Sequence, residues 1–212
     1  MTAISPGGAS VASVHLPYSP TAEHYMGMPQ ATHGWTAEMA RALPDDGNRY
    51  EVVDGELLVT PAPRLLHQRA VMALLERLRD YVRAMRRGEL LFSPADIEFD
   101  PKSLVQPDIF VAPLVEGRRP RAWTEIRGLL LAVEVLSPST ARADREVKRR
   151  KYQRQGVPEY WIVDLDARLV ERWRPADERP EILSQTLSWR PDPTGPGLEI
   201  DLPTYFAEVL DE

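Results

Sequence analysis

The stretch Leu129-Leu130-Leu131-Ala132-Val133-Glu134-Val135-Leu136 limits the architecture of this chain more than any other. Seven of its eight residues are apolar and they do not alternate with polar ones, so neither face of such a strand can be left to water. It belongs at the centre of a sheet covered on both sides, which points to an α/β fold. The flanking signals agree. Asp54-Gly55 between Tyr50–Val53 and Glu56–Thr60 predicts a tight hairpin. From Arg64 to Arg87, the apolar residues Val71, Leu74, Leu75, Leu78, Tyr81, Val82 and Met85 form one helical stripe, closed by Gly88. Glu89–Asp100 and Leu104–Ala112 read as strands, Asp144–Gln155 as a polar helix ended by Gly156, and Glu159–Asp164 with Arg168–Trp173 as a second hairpin. The predicted order is β-β-α-β-β-β-α-β-β.

A chain of 212 residues suits one domain. Residues 1–30 are nearly free of charge and of hydrophobic period, and are expected to form a flexible N-terminal arm. Residues 31–212 then make a single domain with its core over 49–174. A short helix is expected near Thr36–Leu43 and a Pro-rich tail from Pro175, relieved by a strand at Leu198–Leu202 and a helical turn at Tyr205–Leu210. The absence of cysteine removes disulfides, thiolate nucleophiles and thiolate metal sites, and fits a cytoplasmic location. No apolar run is long enough to span a membrane, and no membrane partner is expected. The formal charge of −6 excludes a protein that coats nucleic acid through bulk charge, so any such contact must be local.

Three features carry chemistry. Glu134 interrupts the apolar strand, and a buried carboxylate must be paired, protonated or bound to a metal. Asp108 interrupts Val105-Gln106-Pro107-Asp108-Ile109-Phe110-Val111 behind a proline that marks an edge or bulge. Two acids on neighbouring strands can hold a hard divalent cation, Mg²⁺ or Mn²⁺, through oxygen. Each residue alone has a plainer reading: a strand-end acid paired with arginine, and an aspartate that merely opens a strand. Third, of 26 basic residues only Lys102, Lys148 and Lys151 are lysine, and two of them sit on one short helix, where Asp144, Lys148 and Tyr152 share a face. That helix also concentrates Arg145, Arg149, Arg150 and Arg154, which would give a local positive patch for phosphate if it were not simply a solvated helix. Replacing Lys148 by arginine or alanine is expected to shift stability by less than about 1 kcal/mol, and a merely solvated helix would accept arginine there at almost no cost. Glu56 and His67 are accessory candidates, with Lys151 and Tyr152, for the same cavity.

Tyr50 to Leu57, Gln106-Pro107-Asp108, Val133 to Thr140, Asp144 to Tyr152 and Gly156 to Asp164, taken in this order, resemble the Uma2 family of endonucleases. The resemblance covers roughly Arg49 to Trp173. It implies the restriction-endonuclease-like fold of the PD-(D/E)XK nucleases: a mixed β-sheet core flanked by helices, here with an N-terminal hairpin and irregular arms. It implies that Asp108 and Glu134 bind the metal and that Lys148, on the following helix, supplies the catalytic lysine. The strand position that usually holds that lysine is Leu136, a departure from the superfamily pattern. The expected activity is magnesium-dependent hydrolysis of phosphodiester bonds in nucleic acid, DNA foremost, by a homodimer, with Trp161 and Trp173 candidates either for its interface or for the core. The missing strand lysine and the negative charge also admit a catalytically silent module that binds nucleic acid or a protein partner.

Overall fold

The fold is described by a computed structural model over residues 34–212; the arm expected over 1–30 lies outside the described residues. Asp54 and Gly55 both take positive φ, 52° and 86°, which is what a two-residue hairpin turn that follows the strand twist demands. They join β1 (Arg49–Val53) to β2 (Glu56–Thr60), with Val53 opposite Glu56. A short α1 (Ala37–Arg41), capped by Thr36, packs on the outer face of this hairpin through Ala37, Ala40, Val52 and Leu57. Next, α2 (Leu65–Met85) buries His67, Ala70, Val71, Leu74, Leu78 and Val82, a stripe at helical spacing. Its left-handed terminal residue is Arg86, and Gly88 instead opens β3 (Gly88–Phe92). A side chain at Gly88 would come within 2.7 Å of Val111, so glycine is needed there for close strand packing, where the sequence suggested a helix stop.

Two segments that read as single strands are each divided. Glu89–Asp100 becomes β3 and β4 (Ile97–Asp100), separated at Pro94, and Leu104–Ala112 becomes β5 (Ser103–Val105) and β6 (Ile109–Pro113), separated at Pro107. Proline lacks the N–H that a ladder needs, and each break sends the two halves into different sheets. β4 and β5 join the hairpin in a four-stranded sheet ordered β2-β1-β5-β4. β3 and β6 enter a six-stranded mixed sheet with β7 (Leu131–Val135), β8 (Tyr160–Asp164), β9 (Leu169–Trp173) and β10 (Glu181–Leu183), ordered β10-β9-β8-β7-β6-β3. Only β7 and β8 run parallel within it.

Every residue of β7 is buried because both faces of this sheet are covered. One face receives α2, the hairpin of β11 (Thr186–Trp189) and β12 (Leu198–Asp201), and α4 (Leu202–Leu210), which meet Val111, Leu131, Val133 and Trp161. The other receives the hairpin side of the small sheet and the helix that ends in α3 (Arg149–Arg154), packed on Phe110, Ala132, Tyr160 and Ile162. The residues after 175 are thus more than an irregular tail: Trp189, Ile200, Tyr205 and Phe206 are buried against α2 and the sheet. Trp161 and Trp173 are core residues, so neither is available as an interface. Among the described residues no helix is long and apolar enough to cross a membrane. Leu78, fully buried in α2, is a direct probe of this packing: Leu78→Ala is expected to cost about 2–5 kcal/mol, read from a urea titration.

Ahead of α3 the backbone is not α-helical. Ala143–Lys148 forms a π-helix, in which the Arg149 N–H donates to the Asp144 carbonyl five residues back. The same carbonyl accepts from the Tyr160 hydroxyl at 3.1 Å.

Candidate active site

β6 and β7 pair antiparallel with Ile109 opposite Val133, and one further step along this register sets Asp108 opposite Glu134. Directly opposed residues share a face of the sheet. Asp108 is 3% exposed and Glu134 1% exposed, and both line one cavity of about 480 Å³ with Arg49, His67, Ser137 and Arg145. The break at Pro107 is what frees Asp108 to turn inward, and Ser93 Oγ holds that segment through the carbonyls of Gln106 (3.1 Å) and Pro107 (2.8 Å).

Asp108 Oδ1 accepts from Arg49 Nη1 at 2.9 Å; Oδ2 accepts from the Val135 N–H at 2.9 Å and lies 2.9 Å from His67 Nε2. Burial alone would push this carboxyl up. The His67 contact, the Arg49 charge and the Val135 amide outweigh it and hold the group well below the usual carboxylate range. Glu134 behaves oppositely. Burial raises it well above the ordinary value, Lys148 offsets only part, and Asp144, Asp108 and Glu51 add further negative potential. Its Oε1 accepts from Lys148 Nζ at 3.1 Å and from the Tyr152 hydroxyl at 3.3 Å, while Oε2 accepts nothing from the described residues.

Lys148 is 1% exposed and its ammonium sits among three carboxylates: Glu51 Oε2 at 2.8 Å, Glu134 Oε1 at 3.1 Å and Asp144 Oδ1 at 3.3 Å. Burial would lower its pKa, but Glu134, Glu51 and Asp144 raise it well above the ordinary lysine value, so it is charged. This overturns the expectation that replacing it shifts stability by less than about 1 kcal/mol. Lys148 does not itself line the cavity; it reaches the cavity through Glu134.

The helix does not present a basic patch. Lys151 is buried against Asp100 (2.5 Å) and Asp54 (3.2 Å), away from Asp108 and Glu134, and Arg154 also pairs with Asp54. Arg145 is held by Glu171 (2.6 Å) and Asp164 (2.8 Å), and Arg149 stacks on Trp173. Most of the cations that look available in the sequence are consumed by internal pairs. Glu56 stands half-buried at the turn end of β2 and does not line the cavity.

Two site residues escape the sequence reading, Arg49 and Glu51. Both lie on β1, and the period of two places them on the same face as Val53, which is buried against Ile97, Val105 and Tyr152. Glu51 is fully buried, with Oε1 accepting from the Gln106 N–H at 2.8 Å. The signal was the alternation of β1 itself, an acid in phase with a core valine.

The Uma2 family, described as "Putative restriction endonuclease", matches residues 37–203. The chain belongs to the Uma2 family. A solved structure of a "putative nuclease belonging to DUF820" from Anabaena variabilis ATCC 29413 is similar to it with a TM-score of 0.65 at 18% identity, over 82% of this chain and 99% of that one. At that identity the likeness is one of fold, and the fold is that of a nuclease-like α/β protein. None of the curated proteins matches the chain significantly. In this Uma2 chain Leu136 lines the cavity, and the ammonium beside Glu134 comes from Lys148 at the end of the π-helix. Among the described residues no three or more His, Asp and Glu side chains converge as a complete metal centre. Magnesium commonly takes only one or two carboxylates, leaving the rest of its shell to water and substrate phosphate.

Proposed function

We propose that this chain is a magnesium-dependent endonuclease hydrolysing phosphodiester bonds in DNA, with Asp108 and Glu134 as the metal-binding acids. The observation that carries the reading is the cross-strand pair itself, two carboxylates from adjacent strands at the bottom of one cavity. The donor set fits a hard divalent cation in chemistry and in charge. Glu51, Asp108, Glu134 and Asp144 are four buried acids, and the permanent cations touching them are Arg49 and Lys148. With all four ionised, as a bound cation would favour, two negative charges remain, the complement of one Mg²⁺ or Mn²⁺. A free lone pair remains on Asp108 Oδ1, and Glu134 Oε2 is unpartnered among the described residues.

When bound, such an ion would lower the pKa of a water and offset charge on the phosphate. The protein's own residues do the rest. Arg49, His67 and the Val135 amide fix Asp108 in its ionised form. Lys148 and Tyr152 fix the Oε1 side of Glu134 and leave Oε2 toward the cavity, which makes Lys148 a positioning residue that acts through Glu134.

A silent binding module has one observation in its favour: the lysine is sealed and no other ammonium lines the cavity. Circular DNA, offered both single-stranded and supercoiled, separates the two. Cleavage is expected with Mg²⁺ or Mn²⁺ and none with EDTA. Cleavage that persists in EDTA would remove the metal from the reading, and intact circles under every metal would favour the silent module.

A further inference from the structure

The cavity has a rim as well as a floor, and the two differ in character. Asp108 and Glu134 are sealed at the bottom, whereas the lining residues open to solvent are five apolar ones, Pro61, Ala62 and Pro63 on the β2–α2 connection, Leu66 in the first turn of α2 and Pro138, together with Arg64 and Asp166. A volume of 480 Å³ corresponds to a cube about 8 Å on an edge, narrower than one α-helix at about 10–12 Å. A DNA duplex is wide enough to take an α-helix inside its major groove, so this space holds only a small part of one. One nucleotide is the size of ligand that pockets of this order hold.

The charges agree with the dimensions. Duplex binding draws on many phosphate contacts, on the order of 6–10 in well-studied cases. Of the three arginines that line this cavity, Arg49 and Arg145 are engaged by carboxylates, which leaves Arg64 as the cation without an ion pair among the described residues. Arg64 is the N-cap of α2, which has no acid in its first turn and no side-chain cap. A mouth with one free cation, the exposed acid Asp166 and five apolar side chains suits the faces of bases and very few phosphates.

We propose that the substrate of this site is an unpaired polynucleotide strand, whose bases lie on Pro61–Pro63 and Leu66 while one phosphate descends to Asp108 and Glu134. The inference rests on the hydrolytic reading above and deepens it. DNA and RNA share this chemistry, and matched oligonucleotides tell them apart.

The test uses the full chain with a fluorescent oligodeoxynucleotide, the oligoribonucleotide of the same sequence, and each annealed to its complement. Binding is followed by anisotropy in Ca²⁺ and cleavage in Mg²⁺. At least one unpaired strand is expected to be bound and cut about tenfold better than its duplex, the scale of losing one base contact. Leu66→Ser should weaken that binding about tenfold with no loss of melting temperature, because Leu66 is exposed. Met72→Ser, exposed on α2 outside the cavity, should change neither. Equal cleavage of strand and duplex overturns the inference and leaves the hydrolase. Preferential binding of the strand without cleavage keeps the inference and removes the hydrolase, and no binding with no cleavage removes both.

Discussion

Lys148→Met is expected to destabilise the fold by about 3–5 kcal/mol, the cost of leaving buried charge without its partner. Three carboxylates converge on this one ammonium, and none of Glu51, Glu134 or Asp144 has solvent to turn to. The penalty should depend on pH with a definite sign. Glu134 already has a raised pKa in the fold, so the native state binds its proton more tightly than the unfolded chain, and stability falls as pH rises from the usual carboxylate range toward that raised value. Removing the ammonium extends this window upward. The variant should therefore lose more stability near pH 8 than near pH 5, as measured by urea titrations at both. Adding Glu51→Gln should recover part of the loss, since it removes one of the stranded charges. A Lys148→Met protein as stable as the parent at every pH would show that the ammonium is not buried among these acids.

Asp108→Asn is expected to lower metal-dependent cleavage at least about a thousandfold, since it removes one of two metal-binding carboxylates and keeps the shape of the side chain. The same substitution has a readout independent of activity. Asp108 has a folded pKa held well below the usual carboxylate range, so it contributes stability that is present above that range and lost as pH falls through it. Urea midpoints of the parent should therefore fall on acidification through about pH 4 more steeply than those of Asp108→Asn. Parallel acid limbs in the two proteins would count against an ionised, fully paired Asp108. Unchanged cleavage would take the metal-binding role away from it.

The parts of this structure legible in the sequence are those specified within a few residues. Asp54-Gly55 encodes its own turn, the α2 stripe repeats along most of the helix, and β7 announces its burial on both faces. What sequence could not assign was which sheet a segment enters. Pro94 and Pro107 were visible as prolines, but a proline inside an apolar run is compatible with an edge, a bulge or a break, and only the distant partners of β4 and β5 decide among these. The site divides in the same way. Asp108, Glu134 and Lys148 stand out because charge is expensive in an apolar setting. Arg49 and Glu51 belong to a short strand whose two faces meet different layers, so their burial depends on what the small sheet packs against. Lys148 and Lys151 were equally conspicuous as rare lysines, yet they address different carboxylates: one pairs with Glu51, Glu134 and Asp144, the other with Asp54 and Asp100.

The π-helix from Ala143 to Lys148 turns spelling and length into separate constraints on this segment. Each residue added to or removed from an α-helix rotates everything beyond it by about 100°. A one-residue deletion that restored α-helical closure here would leave Tyr152 and the core behind it, or Asp144 and the strand before it, facing the wrong way. Arg142 and Glu146, both solvent-exposed, can change identity freely, because their letters carry no contact in the site. The count between Asp144 and Tyr152 cannot change, so divergence among chains that keep this centre should appear in this helix as substitution and never as a gap.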